Sequence, residues 1–260
     1  MKVIFAAGGT AGHINPALAI ADKMKQVFPN TEILFIGTPS GMESRLVTKA
    51  GYDFRGVEMS GFQRGFSPRD MLSNVKAAYR YLISAKRAVR KIIKEFKPEL
   101  AVGTGGYVTA TVIGQAAAMG VKTVTHESNS YPGMATKMLS GKADKVLLAV
   151  EDAKKHLKNT DNCVVTGNPL RTNIPIEEQS AARRRLGLSD GFTVLSFGGS
   201  LGANKITEAV AELIAWEKKT GGINHIHSFG SKNKDTFYAA LEQSGVSEDK
   251  SRHIFRDYID

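Results

Sequence analysis

A single cysteine, Cys163, in 260 residues excludes an internal disulfide and a cysteine-based metal cluster. It fits a reducing, cytoplasmic compartment. No apolar run reaches the roughly 18 residues that a spanning helix needs. A signal-peptide pattern is not expected either, because Met1-Lys2 leads directly into an apolar strand. The glycine-rich turns follow neither the Gly-x-Gly-x-x-Gly pattern nor a Walker loop with Lys-Ser/Thr. That counts against a dehydrogenase and against a P-loop NTPase. No Asp-x-Asp triplet offers itself to a divalent ion, so no metal and no cofactor is expected.

What is present centres on Gly8-Gly9-Thr10-Ala11-Gly12-His13. Val3-Ile4-Phe5-Ala6-Ala7 before it reads as a buried strand. Ala17-Leu18-Ala19-Ile20-Ala21 after it reads as a helix, with Pro16 at the first helical position and Asn15 as its cap. Glycines between a strand and a helix allow a tight turn that points backbone N–H groups at an anion. His13 lies on the rim of that site. A histidine near a loop is commonly structural, but one fixed beside free N–H groups is a candidate for proton transfer.

Further strands are expected at Ile33–Gly37, Leu100–Val102, Lys122–Thr125 and Lys145–Val150. Gly103-Thr104-Gly105-Gly106-Tyr107 forms a second glycine turn, followed by a helix from Val108 to Met119. Two such turns at the ends of parallel strands line one crevice. His126-Glu127-Ser128-Asn129, just past a strand, belongs to the same rim. Glu127 reads either as a loop or helix-cap hydrogen-bond acceptor, or as an acid, a base or an orienting group for a sugar hydroxyl.

The net charge of +10 is unevenly placed. Arg64 to Lys97 carries ten Lys/Arg against Asp70 and Glu95, a local +8. Val75, Tyr79, Leu82, Val89, Ile92, Ile93 and Phe96 form an apolar stripe on the helix expected over 73–96, with Lys76, Arg80, Arg87, Lys91 and Lys94 on another side. The stripe reads as the buried face of a surface helix whose basic side is solvated. A patch for anionic lipid headgroups is the second reading, each Lys or Arg contributing about 1 kcal/mol near such a surface. Nucleic acid ranks last, because no aromatic residues are interleaved for stacking.

Gly167-Asn168-Pro169-Leu170-Arg171 reads as a break, and a linker over 172–180 sets the domain boundary at 170/171. The second part repeats the theme with the strand Phe192–Phe197, the turn Gly198-Gly199-Ser200-Leu201-Gly202-Ala203 and the helix Lys205–Trp216. Three strands in the 70 residues from Gly191 fall short of a doubly wound domain, which wants about six. Two α/β halves opening on helix N-termini make a cleft that can hold a diphosphate without a metal. That is the two-domain architecture of GT-B glycosyltransferases, and a truncated C-terminal domain is expected.

Five motifs in order make the resemblance specific. They are the segments 8–17, 103–108, 126–129, 167–171 and 198–203. Together with Tyr258-Ile259-Asp260, they resemble the MurG family of N-acetylglucosaminyltransferases of bacterial cell-wall synthesis. The resemblance implies inverting transfer of N-acetylglucosamine from UDP-GlcNAc to the C4 hydroxyl of the lipid-linked acceptor lipid I, giving lipid II. It implies an acceptor and membrane-associating domain over 1–170 and a partial UDP-GlcNAc domain over 171–260. It also implies work at the cytoplasmic membrane face, which suits the basic 64–97 stretch. Thr10, Ala11 and Gly12 match positions near the substrate phosphates, and His13 matches the base, with Glu127 in reserve. Gly105, Gly106, Tyr107 and His126 match polar or backbone positions of the cleft. Asn129, Arg171, Ser200, Leu201, Gly202 and Ile259 match the donor side.

The chain departs from the family where Ala11 replaces a common glycine and where Ser128 and Leu201 replace common glutamines. The family's Arg-Ser-Gly-Ala segment, ribose-binding glutamate and glutamine-rich stretch should lie beyond Asp260. The 260-residue piece is therefore not expected to be fully active alone. The remaining alternatives are a diacylglycerol-type lipid glycosyltransferase, and a non-catalytic chain that binds lipid diphosphates or an assembly partner.

Overall fold

A computed structural model describes residues 1–59, 70–171, 176–199, 202–230 and 232–259, with side chains of the long helix given from Ile83 onward. The chain divides into two compact units, Met1–Ile174 and Pro175–Asp260. The side chains of Arg64, Arg69, Val75, Lys76, Tyr79, Arg80 and Leu82, and the donor-side residues Ser200 and Leu201, lie outside the described residues.

The first unit carries a seven-stranded parallel sheet. In chain order its elements are β1 (Lys2–Ala6), α1 (Ala11–Val27), β2 (Glu32–Gly37), α2 (Met42–Lys49), β3 (Asp53–Gly56), α3 (Asp70–Phe96), β4 (Leu100–Gly103), α4 (Gly106–Ala118), β5 (Lys122–Glu127), α5 (Met134–Leu139), β6 (Lys145–Leu148) and β7 (Cys163–Val165). The spatial order is β3-β2-β1-β4-β5-β6-β7. The order reverses between β1 and β4, and a doubly wound sheet opens a crevice at the C-terminal ends of such a pair. The register sets Ala6 beside Gly103 and Gly103 beside Thr125. Three successive turns therefore leave the sheet side by side.

The continuous apolar run of β1 follows from burial on both faces. Val3, Phe5 and Ala7 pack with Ile14, Leu18 and Val47 on the α1–α2 side. Ile4 and Ala6 pack with Val89, Ile93, Val108 and Val112 on the α3–α4 side. Each of the Val, Ile, Leu and Phe side chains among them contributes roughly 1.5–3 kcal/mol on burial. On α3, Ala85, Val89 and Ile93 face the core, while Lys86, Arg87, Arg90, Lys91 and Lys94, and Lys97 just past its end, are exposed. Arg87, Arg90, Lys91, Lys94 and Glu95 line a groove of about 460 Å³.

Two expectations need correction. Helix α1 begins at Ala11 with Thr10 at its cap position, so Pro16 lies inside the helix and Asn15 caps nothing. The positive φ of Gly9 (89°) turns the chain into the helix at once. Pro16 forfeits only the bond to the Gly12 carbonyl, because its ring fixes φ at a helical value. Strand β5 runs through His126 and Glu127, because β6 pairs with both of them, opposite Leu147 and Leu148.

The second unit contains α6 (Gln179–Leu186), β8 (Phe192–Phe197), α7 (Asn204–Thr220), β9 (Ile223–Ser228), α8 (Lys234–Gln243) and β10 (His253–Arg256). Its sheet is parallel, in the order β10-β9-β8. Its core holds Val210, Ile214, Phe229, Phe237 and Leu241. A polar chain crosses that core. His225 Nδ1 lies 2.8 Å from Glu217, His225 Nε2 2.7 Å from Ser196 Oγ, and Ser196 Oγ 2.8 Å from His227 Nδ1. Burial pushes His225 and His227 down to about 4 and lowers His253, while it raises Glu217.

An unfolded chain would take up protons on these imidazoles near their ordinary value of 6.5, whereas the folded unit resists until about pH 4. Their contribution is therefore complete above pH 6.5 and is lost as pH falls toward 4. The raised Glu217 opposes this, as one carboxyl against three imidazoles. Trp216, the sole tryptophan, sits on α7 of this unit. Denaturant midpoints followed by its fluorescence are expected to fall steeply between pH 6.5 and 4, and a flat profile would contradict the account.

Candidate functional site

The crevice at the β1/β4 switch point is built by two glycine turns pressed together. Gly106 (φ 83°) lies against the Gly8 carbonyl so closely that a Cβ there would overlap the Gly8 oxygen. Gly105 (φ 118°) lies against the His13 ring, where a Cβ would sit 2.9 Å from Nε2. A side chain at either position is excluded twice, by the contact and by a positive φ. Thr104 Oγ1 donates to the His13 carbonyl at 2.7 Å, tying the second turn to the first. Thr109 Oγ1, on α4, donates to the Ala6 and Gly105 carbonyls at 2.7 and 2.8 Å.

His13 is half-buried, and its Nδ1 lies 3.0 Å from the Gly8 carbonyl oxygen. A carbonyl only accepts, so Nδ1 carries the proton and Nε2 keeps a free lone pair. Thr10 Oγ1 approaches the same Nδ1 at 3.4 Å. The Thr10 carbonyl takes the N–H groups of His13 and Ile14, whereas those of Ala11 and Gly12 precede the first helical bond. Helix α4 likewise starts at this edge, at Gly106 and Tyr107. Two helix N-termini thus place partial positive charge at one crevice. Tyr107 is held by a 2.7 Å hydrogen bond between its hydroxyl and Thr38 Oγ1.

A second cluster stands at the end of β5. Glu127 is buried, and its carboxylate accepts from the Asn129 N–H (3.0 Å), Asn129 Nδ2 (2.8 Å), the Gly133 N–H (2.8 Å) and Thr136 Oγ1 (2.6 Å). Four donors occupy both oxygens, so this carboxylate organises the 127–136 loop and the start of α5. Asn129 spends its amide N–H on the same carboxylate. His126 is buried, with Nε2 3.1 Å from the Gly167 carbonyl and Nδ1 unpartnered. Burial holds its imidazole below the ordinary value.

Other singled-out residues lie elsewhere. Arg171 Nε donates to Asp22 at 3.0 Å, and Tyr52 donates to the other oxygen of Asp22 at 2.7 Å. Asp22 lies nine residues beyond His13 on α1, about 13 Å along the helix, so Arg171 is not brought to the switch-point crevice. In the second unit, Gly202 (φ 81°) packs against the Phe229 carbonyl and stands 2.7 Å, measured from a Cβ position, from Asn233 Nδ2. Ile259 is partly exposed beside Tyr258.

Sequence reasoning missed Glu43, Thr38, Thr104 and Thr109. Their only local signal is polarity at a strand end or in a first helical turn, since their partners come from other turns. Glu127→Gln puts an amide N–H against a ring of donors, and a buried donor left unpaired costs about 1–3 kcal/mol. Urea unfolding of the first unit is expected to show a loss of that size, with protease cleavage appearing between residues 128 and 133. Unchanged stability would return Glu127 to the list of free carboxylates.

The profile of glycosyltransferase family 28 N-terminal domains matches residues 3–148. A UDP-N-acetylglucosamine–N-acetylmuramyl-(pentapeptide) pyrophosphoryl-undecaprenol N-acetylglucosamine transferase of Acetivibrio thermocellus is 43% identical over 236 residues, covering 90% of this chain and 63% of that protein. The chain thus spans less than two thirds of that relative's length. The transferase of the same name from Desulforamulus reducens is 38% identical, covering 100% of this chain and 69% of that protein. The crystal structure of Acinetobacter baumannii MurG superposes with a TM-score of 0.63 at 21% identity, over 100% of this chain and 67% of that one, which shows the GT-B fold. With its doubly wound first unit and its paired glycine turns, the chain belongs to glycosyltransferase family 28, among the relatives that carry this transferase name.

Proposed function

We propose that this chain supplies the acceptor side and part of the donor side of an inverting N-acetylglucosaminyltransferase. The donor is UDP-GlcNAc and the acceptor is the C4 hydroxyl of N-acetylmuramoyl-pentapeptide linked to undecaprenyl diphosphate. The observation that carries this reading is the state of His13. Its Nδ1–H is spent on the Gly8 carbonyl, and its Nε2 lone pair is free beside two helix N-termini.

The acceptor diphosphate lies at the starts of α1 and α4, where the N–H groups of Ala11, Gly12 and Gly106 meet it without a metal. The C4 oxygen attacks the anomeric carbon of the donor sugar. The bond from that carbon to the diphosphate oxygen breaks, with its electron pair leaving on UDP. The hydroxyl proton passes to His13 Nε2. In the second unit, the start of α7 offers backbone N–H groups to the diphosphate of the donor. Glu127 holds the neighbouring loop and is not the base. The exposed Lys86, Arg87, Arg90, Lys91, Lys94 and Lys97 supply attraction to an anionic membrane, so the protein works peripherally at the cytoplasmic face.

In the complete enzyme, His13→Ala is expected to lower kcat about 10²–10⁴-fold, the usual contribution of a positioned base, with KM for UDP-GlcNAc nearly unchanged. Steady-state transfer to a soluble lipid I analogue checks it. Unaltered turnover would remove His13 from the mechanism.

A further inference from the structure

Glu43, the second residue of α2, is 1% exposed. Three glycines surrender the space it fills. A Cβ at Gly8 would lie 2.9 Å from Oε1, one at Gly37 2.5 Å from Cγ, and one at Gly41 2.5 Å from both carboxylate oxygens. Among the described residues, no lysine, arginine or histidine forms an ion pair with Glu43. A buried carboxylate without a cation must be met by N–H donors and dipoles. Oε1 accepts the Thr38 N–H at 3.0 Å, and Oε2 accepts the Gly9 N–H at 3.3 Å. The N-terminus of α2 adds partial positive charge. From the other elements packed nearby, α4 contributes Tyr107, through Thr38 Oγ1, and Val108, and β3 contributes Phe54.

The peptide group that joins Gly8 to Gly9 is engaged at both ends. Its N–H points at Glu43, and its C=O accepts the proton of His13 Nδ1 at 3.0 Å. We propose that Glu43 is a positioning residue that acts on His13 through the Gly8–Gly9 peptide. The carboxylate polarises the N–H, electron density rises on the Gly8 oxygen, and the imidazolium formed when Nε2 takes a proton is stabilised. Hydrogen bonds in a chain strengthen one another in this way. The arrangement has the logic of a catalytic triad with a backbone amide between the acid and the histidine. It rests on the reading of His13 as the base, but its physical core is independent of the substrate.

The test is ¹⁵N-histidine NMR of the chain. In Glu43→Gln the His13 Nδ1–H resonance moves upfield, and the His13 titration midpoint falls by about one pH unit, a tenfold loss of proton affinity. Glu43→Asp, which keeps the charge but withdraws it from Gly9, moves both readouts the same way. If neither variant folds, the unaltered chain decides: the Gly9 amide resonance follows the His13 titration. Folded variants with unchanged His13 readouts, or a Gly9 amide indifferent to His13, overturn the proposal. In the complete enzyme, Glu43→Gln lowers kcat about tenfold with KM for UDP-GlcNAc unchanged. If His13→Ala retains full turnover, the reading of His13 as the base fails while the NMR result still judges the coupling.

Discussion

The Gly8 carbonyl oxygen accepts the His13 Nδ1 proton, and Gly106 is pressed against it with no room for a side chain. That one contact fixes which imidazole nitrogen is free, how near α4 comes to α1, and where two helix N-termini converge. The sheet order makes it necessary. With β1 and β4 adjacent and both chains turning away at their C-terminal ends, only backbone as bare as glycine lets the two turns meet. The threonines around it, 38, 104 and 109, lock the meeting in place by bonds to Tyr107, His13 and Ala6.

Two carboxylates stand near this crevice, and both are committed to backbone N–H groups. Glu127 shapes the loop after β5, and Glu43 underlies the turn after β1. Neither is left as a free acid beside the space assigned to a diphosphate, where a further negative charge would repel the ligand. His13 keeps an open lone pair on Nε2 beside the two helix N-termini, whereas the unpartnered Nδ1 of His126 is buried. Acids committed to backbone N–H groups, together with two helix N-termini at one edge, are the features on which the proposed binding of a diphosphate rests.

The parallel strands were legible because burial on both faces writes an uninterrupted apolar run, as in Val3–Ala7 and Ile33–Ile36. The glycine turns and His13 were legible because strand, glycines and helix follow one another locally. Pro16 misled, since proline favours a first helical turn but is also tolerated where one bond is expendable. Glu43 was invisible, because its partner Gly9 is 34 residues away and only the fold brings them together. The chain Glu217–His225–Ser196–His227 escaped for a similar reason. Alternating Asn224-His225-Ile226-His227 looks like a strand with a wet face, but Glu217 of α7 covers His225 and Phe237 of α8 covers His227.

The central claim is that the switch-point crevice of the first unit holds the diphosphate-linked acceptor sugar with His13 at its reacting hydroxyl. Amide and imidazole NMR of the chain, titrated with a short-chain prenyl diphosphate-linked N-acetylmuramoyl peptide, tests it most directly. The account predicts shifts concentrated at Ala11, Gly12, His13, Gly106 and Tyr107, with little change in the second unit. Shifts confined to the exposed face of α3, or to residues beyond 175, would contradict it.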